Sequence, residues 1–152
     1  MRTIALALVL AACSSSHPEN KTLSGDEARK VLLDRNWLDR MPQTDRDRLH
    51  VYRFVPSMGG GVFQDRTIFF GTFELFAYEQ DGQRIRFNLL HTGEKKTSTF
   101  AIEALDKPGP EGVDLKLTIS DDPRGSKTYY GWRKETQDLD GQLAHLFDSL
   151  RH

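Results

Sequence analysis

Glu74 lies inside an apolar run, Phe73-Glu74-Leu75-Phe76, and Asp65-Arg66 precedes another, Thr67-Ile68-Phe69-Phe70. A carboxyl buried among such neighbours, or paired with a guanidinium, has a displaced pKa and can act as a general acid. An enzyme using Glu74 or Asp65 is therefore one expectation. A structural ion pair, or a carboxylate on an exposed sheet face, is the plainer one. The imidazoles are His17, His50, His91, His145 and His152. None forms His-x-x-x-His, and no second cysteine exists to complete a zinc site, so neither a metal nor another cofactor is expected. His50 and His91 flank candidate strands and could meet in space. No Gly-x-Ser-x-Gly elbow is present. Gly59-Gly60-Gly61 runs into Val62-Phe63-Gln64-Asp65, not into Lys-Ser/Thr and a helix, so it is no phosphate loop. It is expected as a mobile connection between strands, or as the lip of a pocket. No residue is assigned a catalytic role.

The remaining reactive group is the single thiol, Cys13. Met1-Arg2-Thr3 is a short basic start, and Ile4 to Leu10 is an unbroken apolar run. That run is too short to span a bilayer, which takes about 20 apolar residues. It has the length of a signal-peptide core. Leu10-Ala11-Ala12-Cys13 resembles the bacterial lipobox. The resemblance implies a diacylglyceryl thioether on Cys13, cleavage just before it, and acylation of the new amine. Two or more acyl chains, at about 0.8 kcal/mol per buried CH₂, give stable anchoring. Ser14 in place of Asp resembles the outer-membrane sorting pattern of enteric-type bacteria. The expected location is therefore the envelope, lipid-anchored, in the outer membrane facing the periplasm or the cell surface. Residues 1–12 are the expected signal peptide. Residues 13–23 are the lipidated cysteine and a tether, polar from Ser14 to Lys21, and 24–152 form a single domain.

Charge argues against one class of partner. Loss of residues 1–12 removes Arg2 and no acid, leaving 20 basic against 22 acidic side chains. That balance gives no general attraction to nucleic acid. Arg84, Arg86, Lys95 and Lys96 form a basic cluster around Asn88 and His91, too small for a nucleic-acid footprint. With one cysteine, no internal disulfide can form, so the body rests on its apolar core. At 38% hydrophobic and 28% charged residues, it has the composition to build one.

Two helices and a set of strands must position these groups. Ser24-Gly25-Asp26-Glu27 has the capping-box pattern, and Ala28, Val31 and Leu32 follow at helical spacing. A helix is predicted from about Gly25 to Asn36, with Trp37 near its end plugging one end of the domain. Strand-like runs fill the next stretch: Leu49–Val55, Val62–Phe70, Phe73–Glu79, Ile85–Leu89, Thr99–Glu103, Val113–Ser120 and Lys127–Trp132. Val113, Leu115, Leu117 and Ile119 alternate with polar residues, as a half-buried strand requires. Asp81-Gly82, Thr92-Gly93 and Asp122-Pro123-Arg124-Gly125 are turns. Leu139, Leu143, Leu146, Phe147 and Leu150 make the apolar stripe of a C-terminal helix, expected to pack on the sheet.

About seven strands in sequence predict a mainly β fold: an antiparallel meander closing into a small barrel or a strongly curved sheet, with flanking helices. Thirteen of the 15 aromatic residues lie between Tyr52 and Trp132, and both faces of Phe73–Tyr78 are apolar, which favours such curvature. The order is similar to that of lipocalin-like small barrels, over about Trp37 to Leu150. That family carries Gly-x-Trp before its first strand, where this chain has Arg35-Asn36-Trp37. Arg133 would be its tryptophan-capping arginine. The departure leaves barrel closure and any internal cavity open.

The leading functional expectation is a non-enzymatic envelope lipoprotein binding a small apolar ligand or lipid within the barrel. Tyr52, Phe54, Phe76, Phe87, Tyr130 and Trp132 would line the site. The alternative is an envelope protein-interaction module with a filled core, using loops such as Met58–Val62 or Lys107–Gly112.

Overall fold

The computed structural model describes residues 20–67 and 69–134. The leader, Cys13, His17, the predicted C-terminal helix, His145 and His152 lie outside these residues. The first described elements are a two-residue strand, β1 (Lys21–Thr22), and one helix, α1 (Gly25–Leu32). Strands follow: β2 (Asn36–Leu38), β3 (Leu49–Val55), β4 (Gly60–Arg66), β5 (Gly71–Asp81), β6 (Arg84–Leu89), β7 (Glu94–Ala104), β8 (Leu115–Ser120) and β9 (Thr128–Gly131).

The strands pair β7-β6-β5-β4-β3-β2-β9-β8, and β8 returns to β7, closing an antiparallel barrel of eight strands. Strand β1 is a ninth, lying beside the end of β7 at Ala104 and Glu103. The expected count of seven is corrected to eight in the ring. The one missed is β2, whose three residues are too short to show an alternation.

Registers define the two ends. Lys21 pairs with Ala104, Leu115 with Gly131, and Val55 with Gly60, so these residues share one end with the start of the described chain. Arg66 pairs with Gly71, Leu49 with Arg66, and Thr99 with Ser120, toward the opposite end. We call the first the tether end and the second the mouth.

Helix α1 closes the tether end. Ser24 caps it: its hydroxyl accepts from the Glu27 amide, and the Glu27 carboxylate accepts from the Ser24 amide. Ala28 and Leu32 are fully buried in the core, and the Trp37 indole N–H donates to the Leu32 carbonyl at 3.0 Å. The helix stops four residues before the predicted Asn36. Leu33 is extended and bridges Phe54, and Asp34 takes a left-handed φ of 54° with its amide on the Phe54 carbonyl. Trp37 does plug this end, but from strand β2.

Alternation fills the interior. His50, Tyr52 and Phe54 of β3 point in, while Leu49 and Val51 point out. Phe63, Phe76, Phe87, Phe100 and Tyr129 join the inner core. The glycine run is not a loose connection. Gly59 is left-handed at the end of a one-turn helix, Pro56–Met58, and Gly60 and Gly61 begin β4. A Cβ on Gly61 would sit 2.4 Å from the Phe76 ring, so the bare backbone there is what lets Phe76 lie across the barrel.

Candidate functional site

Strands β3, β4 and β5 bring three titratable side chains to the mouth. His50 and Asp65 are cross-strand partners, and Glu74 sits opposite Phe63. His50 and Asp65 follow from the alternation that sends Tyr52 and Phe63 inward two residues deeper, and Glu74 shares that face as the partner of Phe63. Loops then add Asp39, His91, Asp122 and Arg124.

The first cluster surrounds His50. Asp39 accepts the His50 backbone N–H at 2.9 Å and lies 3.0 Å from Nδ1. Its side chain is almost wholly buried. Nε2 lies 3.7 Å from Asp65 Oδ1, and the ring stacks on Phe63 at 5.5 Å. Arg48 donates to both Asp65 oxygens, at 2.5 and 2.6 Å. These bonds hold the Asp65 carboxyl below the usual carboxylate range, against the raising effect of burial.

The second cluster surrounds Arg124. Its Nη1 is ion-paired with Glu74, whose Oε2 also lies 3.3 Å from His91 Nδ1. The guanidinium carbon stands 4.6 Å over the Phe63 ring, a cation–π contact. Phe63 thus separates the two clusters.

Beneath them lies Asp122, buried between two phenols. Tyr52 donates to Oδ1 at 2.9 Å, Tyr129 donates to Oδ2, and the Arg124 amide donates to Oδ1 at 2.8 Å. Burial nonetheless raises the Asp122 carboxyl above its ordinary value, the bonds from Tyr129, Arg124 and Tyr52 offsetting only part. Burial, followed by the Asp122 charge, drives both phenols well above the usual tyrosine range.

The chemistry open to this arrangement is narrow. Asp65 is occupied by a bidentate arginine and stays ionised, which makes it a poor proton donor. Glu74 is matched by Arg124 and His91. Nδ1 of His50 faces one carboxylate and Nε2 another, so neither ring nitrogen is paired with a nucleophilic hydroxyl. Among the described residues, no group of His, Cys, Asp and Glu is arranged to hold a metal. His50 and His91, which the sequence allowed to meet, belong to the two separate clusters.

The six residues expected to line an internal site divide. Tyr52, Phe54, Phe76 and Phe87 do come together: Tyr52 and Phe76 lie 5.6 Å apart, Phe54 and Phe76 5.5 Å, and Phe76 and Phe87 5.5 Å. These rings pack on one another and are at most 1% exposed. Tyr130 and Trp132 do not join them. Leu117 pairs with Tyr129, so in β9 it is Tyr129 that points inward and Tyr130 outward beside Leu38. Trp132 packs on the outer cluster of Leu38, Leu49 and Val51 and donates to the Glu111 carbonyl. Arg133 pairs with Asp114; the cation–π contact among the described residues belongs to Arg124.

Sequence reasoning missed Asp39, Arg48, Asp122, Arg124 and Tyr129. Asp122-Pro123-Arg124-Gly125 was legible as a turn, and the Arg124 amide on the Asp122 carboxylate is the bond such a turn makes. Nothing local shows that this turn folds inward. Of the basic cluster on β6 and β7, Arg86, Lys95 and Lys96 line a groove of about 370 Å³, where Arg86 is paired with Glu79. Comparison with known proteins finds no matching family model, no matching curated protein and no matching solved structure.

Proposed function

We propose that this chain is an exported, non-enzymatic lipoprotein, held at the envelope membrane by lipid on Cys13, whose lipocalin-like barrel serves as a protein-interaction module. The observation that carries the reading is the filled interior. Trp37, Tyr52, Phe54, Phe76, Phe87 and Tyr129 occupy the space a ligand would need, each at most 1% exposed. Close packing of this kind is core, and parting these rings for a ligand would forfeit their mutual contacts. The anchor rests on Leu10-Ala11-Ala12-Cys13 and the polar stretch after it.

Recognition then falls to the exposed loops. At the tether end, Met58 and Lys107 are exposed, and the 105–114 loop touches the start of the body through the Asp106 amide and Asn20. That end is held close to the membrane. The mouth carries Arg40, Arg46 and Arg48 in an exposed loop with several acids, and suits a partner of mixed charge.

A photo-crosslinking residue at Arg46, compared in intact cells with one at Lys107, tests this. One recurrent protein adduct from Arg46 is expected. Co-purification of a stoichiometric small apolar molecule with the gently extracted protein, seen by native mass spectrometry, would restore the ligand-in-barrel reading. The intact mass from the same preparation reports acylation of Cys13, which a Cys13→Ala variant must abolish.

A further inference from the structure

One side of the barrel is apolar where it should be wet. Phe73 and Leu75 stand on the outer face of β5, 71% and 44% exposed. Leu90, 57% exposed, continues the β5–β6 register to the position opposite Leu75. The hairpin from β4 to β5 carries Phe69 and Phe70, 64% and 82% exposed, and is closed by the Thr67 amide on the Phe70 carbonyl. Five adjoining large apolar side chains exceed the scattered singles of an ordinary surface.

We infer that this face rests on the bilayer to which the acylated Cys13 ties the protein, so that the barrel lies on its side. The inference depends on the lipid-anchor reading above. Three features select a lipid surface over a protein partner. The first is shape: Phe73, Leu75 and Leu90 stand on a convex barrel wall and Phe69 lies in the hairpin beyond it, while only Phe70 borders a hollow, shared with Arg66 and Thr72. The second is charge: Thr67 to Phe73 contains no charged residue. The outward positions of β5 stay uncharged from Phe73 through Leu75 to Ala77, and Val62 and Gln64 flank them on β4, with Arg66 the next outward position, beside Gly71. No acid stands among these positions to be desolvated when the face meets the acyl boundary, and the Arg66 guanidinium at its edge can reach lipid phosphates on its long stem.

The third is reach. Asn20 follows Cys13 by seven residues, which extend at most about 25 Å and average about 13–16 Å as a coil. The described chain begins at the tether end beside β7, which lies two strands from β5 in the ring, about 10 Å around the wall, while the β4–β5 hairpin stands at the opposite end of that wall. A leash that short keeps the β4–β5 face at high effective concentration beside its own membrane, where modest apolar contacts suffice.

The test uses the acylated protein in phosphatidylcholine–phosphatidylglycerol vesicles. Acylation consumes the native thiol, so Phe70→Cys supplies one site for an environment-sensitive dye. Lys127→Cys, on an exposed residue before β9 across the barrel, is the control. With bromine on the lipid chains, the dye at 70 should lose most of its emission and the dye at 127 should keep its own. Equal, full emission at both sites on protein whose mass shows acyl chains would overturn the inference while leaving the anchor standing. So would a dye at 70 shielded by a crosslinkable second copy or another protein. A mass showing unmodified Cys13 would remove the anchor reading and this inference with it, and is read independently of the dye. Both substitutions are at exposed sites, and far-ultraviolet circular dichroism checks that the barrel still folds.

Discussion

Asp122 carries its charge where charge is costly, and its neighbours compensate only in part. Two phenols and a backbone amide donate to it, yet burial still raises its carboxyl above the ordinary aspartate value. A raised acid binds its proton more tightly in the native state than in the unfolded chain. Stability from this group is therefore present at low pH and is lost as pH rises through the window above the unfolded aspartate value. Asp122→Asn removes the titration and keeps an acceptor. In urea unfolding, wild type should gain on Asp122→Asn as pH falls from neutral toward the unfolded aspartate value. A difference that stays constant with pH would mean that the carboxyl is not raised. The residue types at the mouth were partly legible: Glu74, Asp65 and His50 stood out in the sequence. Their partners did not, because Arg124 and Asp39 reach them from loops, and loop residues carry no periodicity that says which way they face.

Elements were legible where polar and apolar residues alternate cleanly. The predicted Leu49–Val55 is strand β3, and β6 and β8 fall within two residues of their predicted bounds, whereas β7 begins at Glu94, five residues before the predicted Thr99. Helix α1 began where its capping box said and ended early, because its stop is the tertiary bridge from Leu33 to Phe54 and not a local signal. Misassigning β9 by one residue explains why Tyr130 was expected inside: strand parity is binary, and a slip of one reverses every side chain. Helix α1 also matters to the barrel as a whole. Leu32 is fully buried beneath Trp37, and the indole N–H is satisfied by the Leu32 carbonyl. Leu32→Ala should cost about 2–5 kcal/mol, the range for truncating a buried leucine. Thermal unfolding followed by tryptophan emission would register the loss. A change under about 1 kcal/mol would show that the end plug collapses onto the gap.

At the scale of the whole molecule, the two ends of the barrel have different company. The tether end holds α1 and receives the chain from Cys13; the mouth holds the Arg48–Asp65 and Arg124–Glu74 ion pairs and the charged 39–48 loop. Strand β5 advances ten residue steps, which at about 3.3 Å each and a tilt near 40° separates the ends by about 25 Å. An upright barrel would lift the mouth by that distance from the membrane. A barrel on its side would hold both ends at similar height, so its mouth would open along the membrane and meet partners that are themselves membrane-bound. Arg46→Cys in the mouth loop and Lys107→Cys at the tether end, each labelled on the acylated protein, separate the two postures. With a quencher on the lipid headgroups, comparable quenching at 46 and 107 is expected. Strong quenching at 107 with little at 46 would stand the barrel upright. The apolar β4–β5 face would then need a protein to cover it.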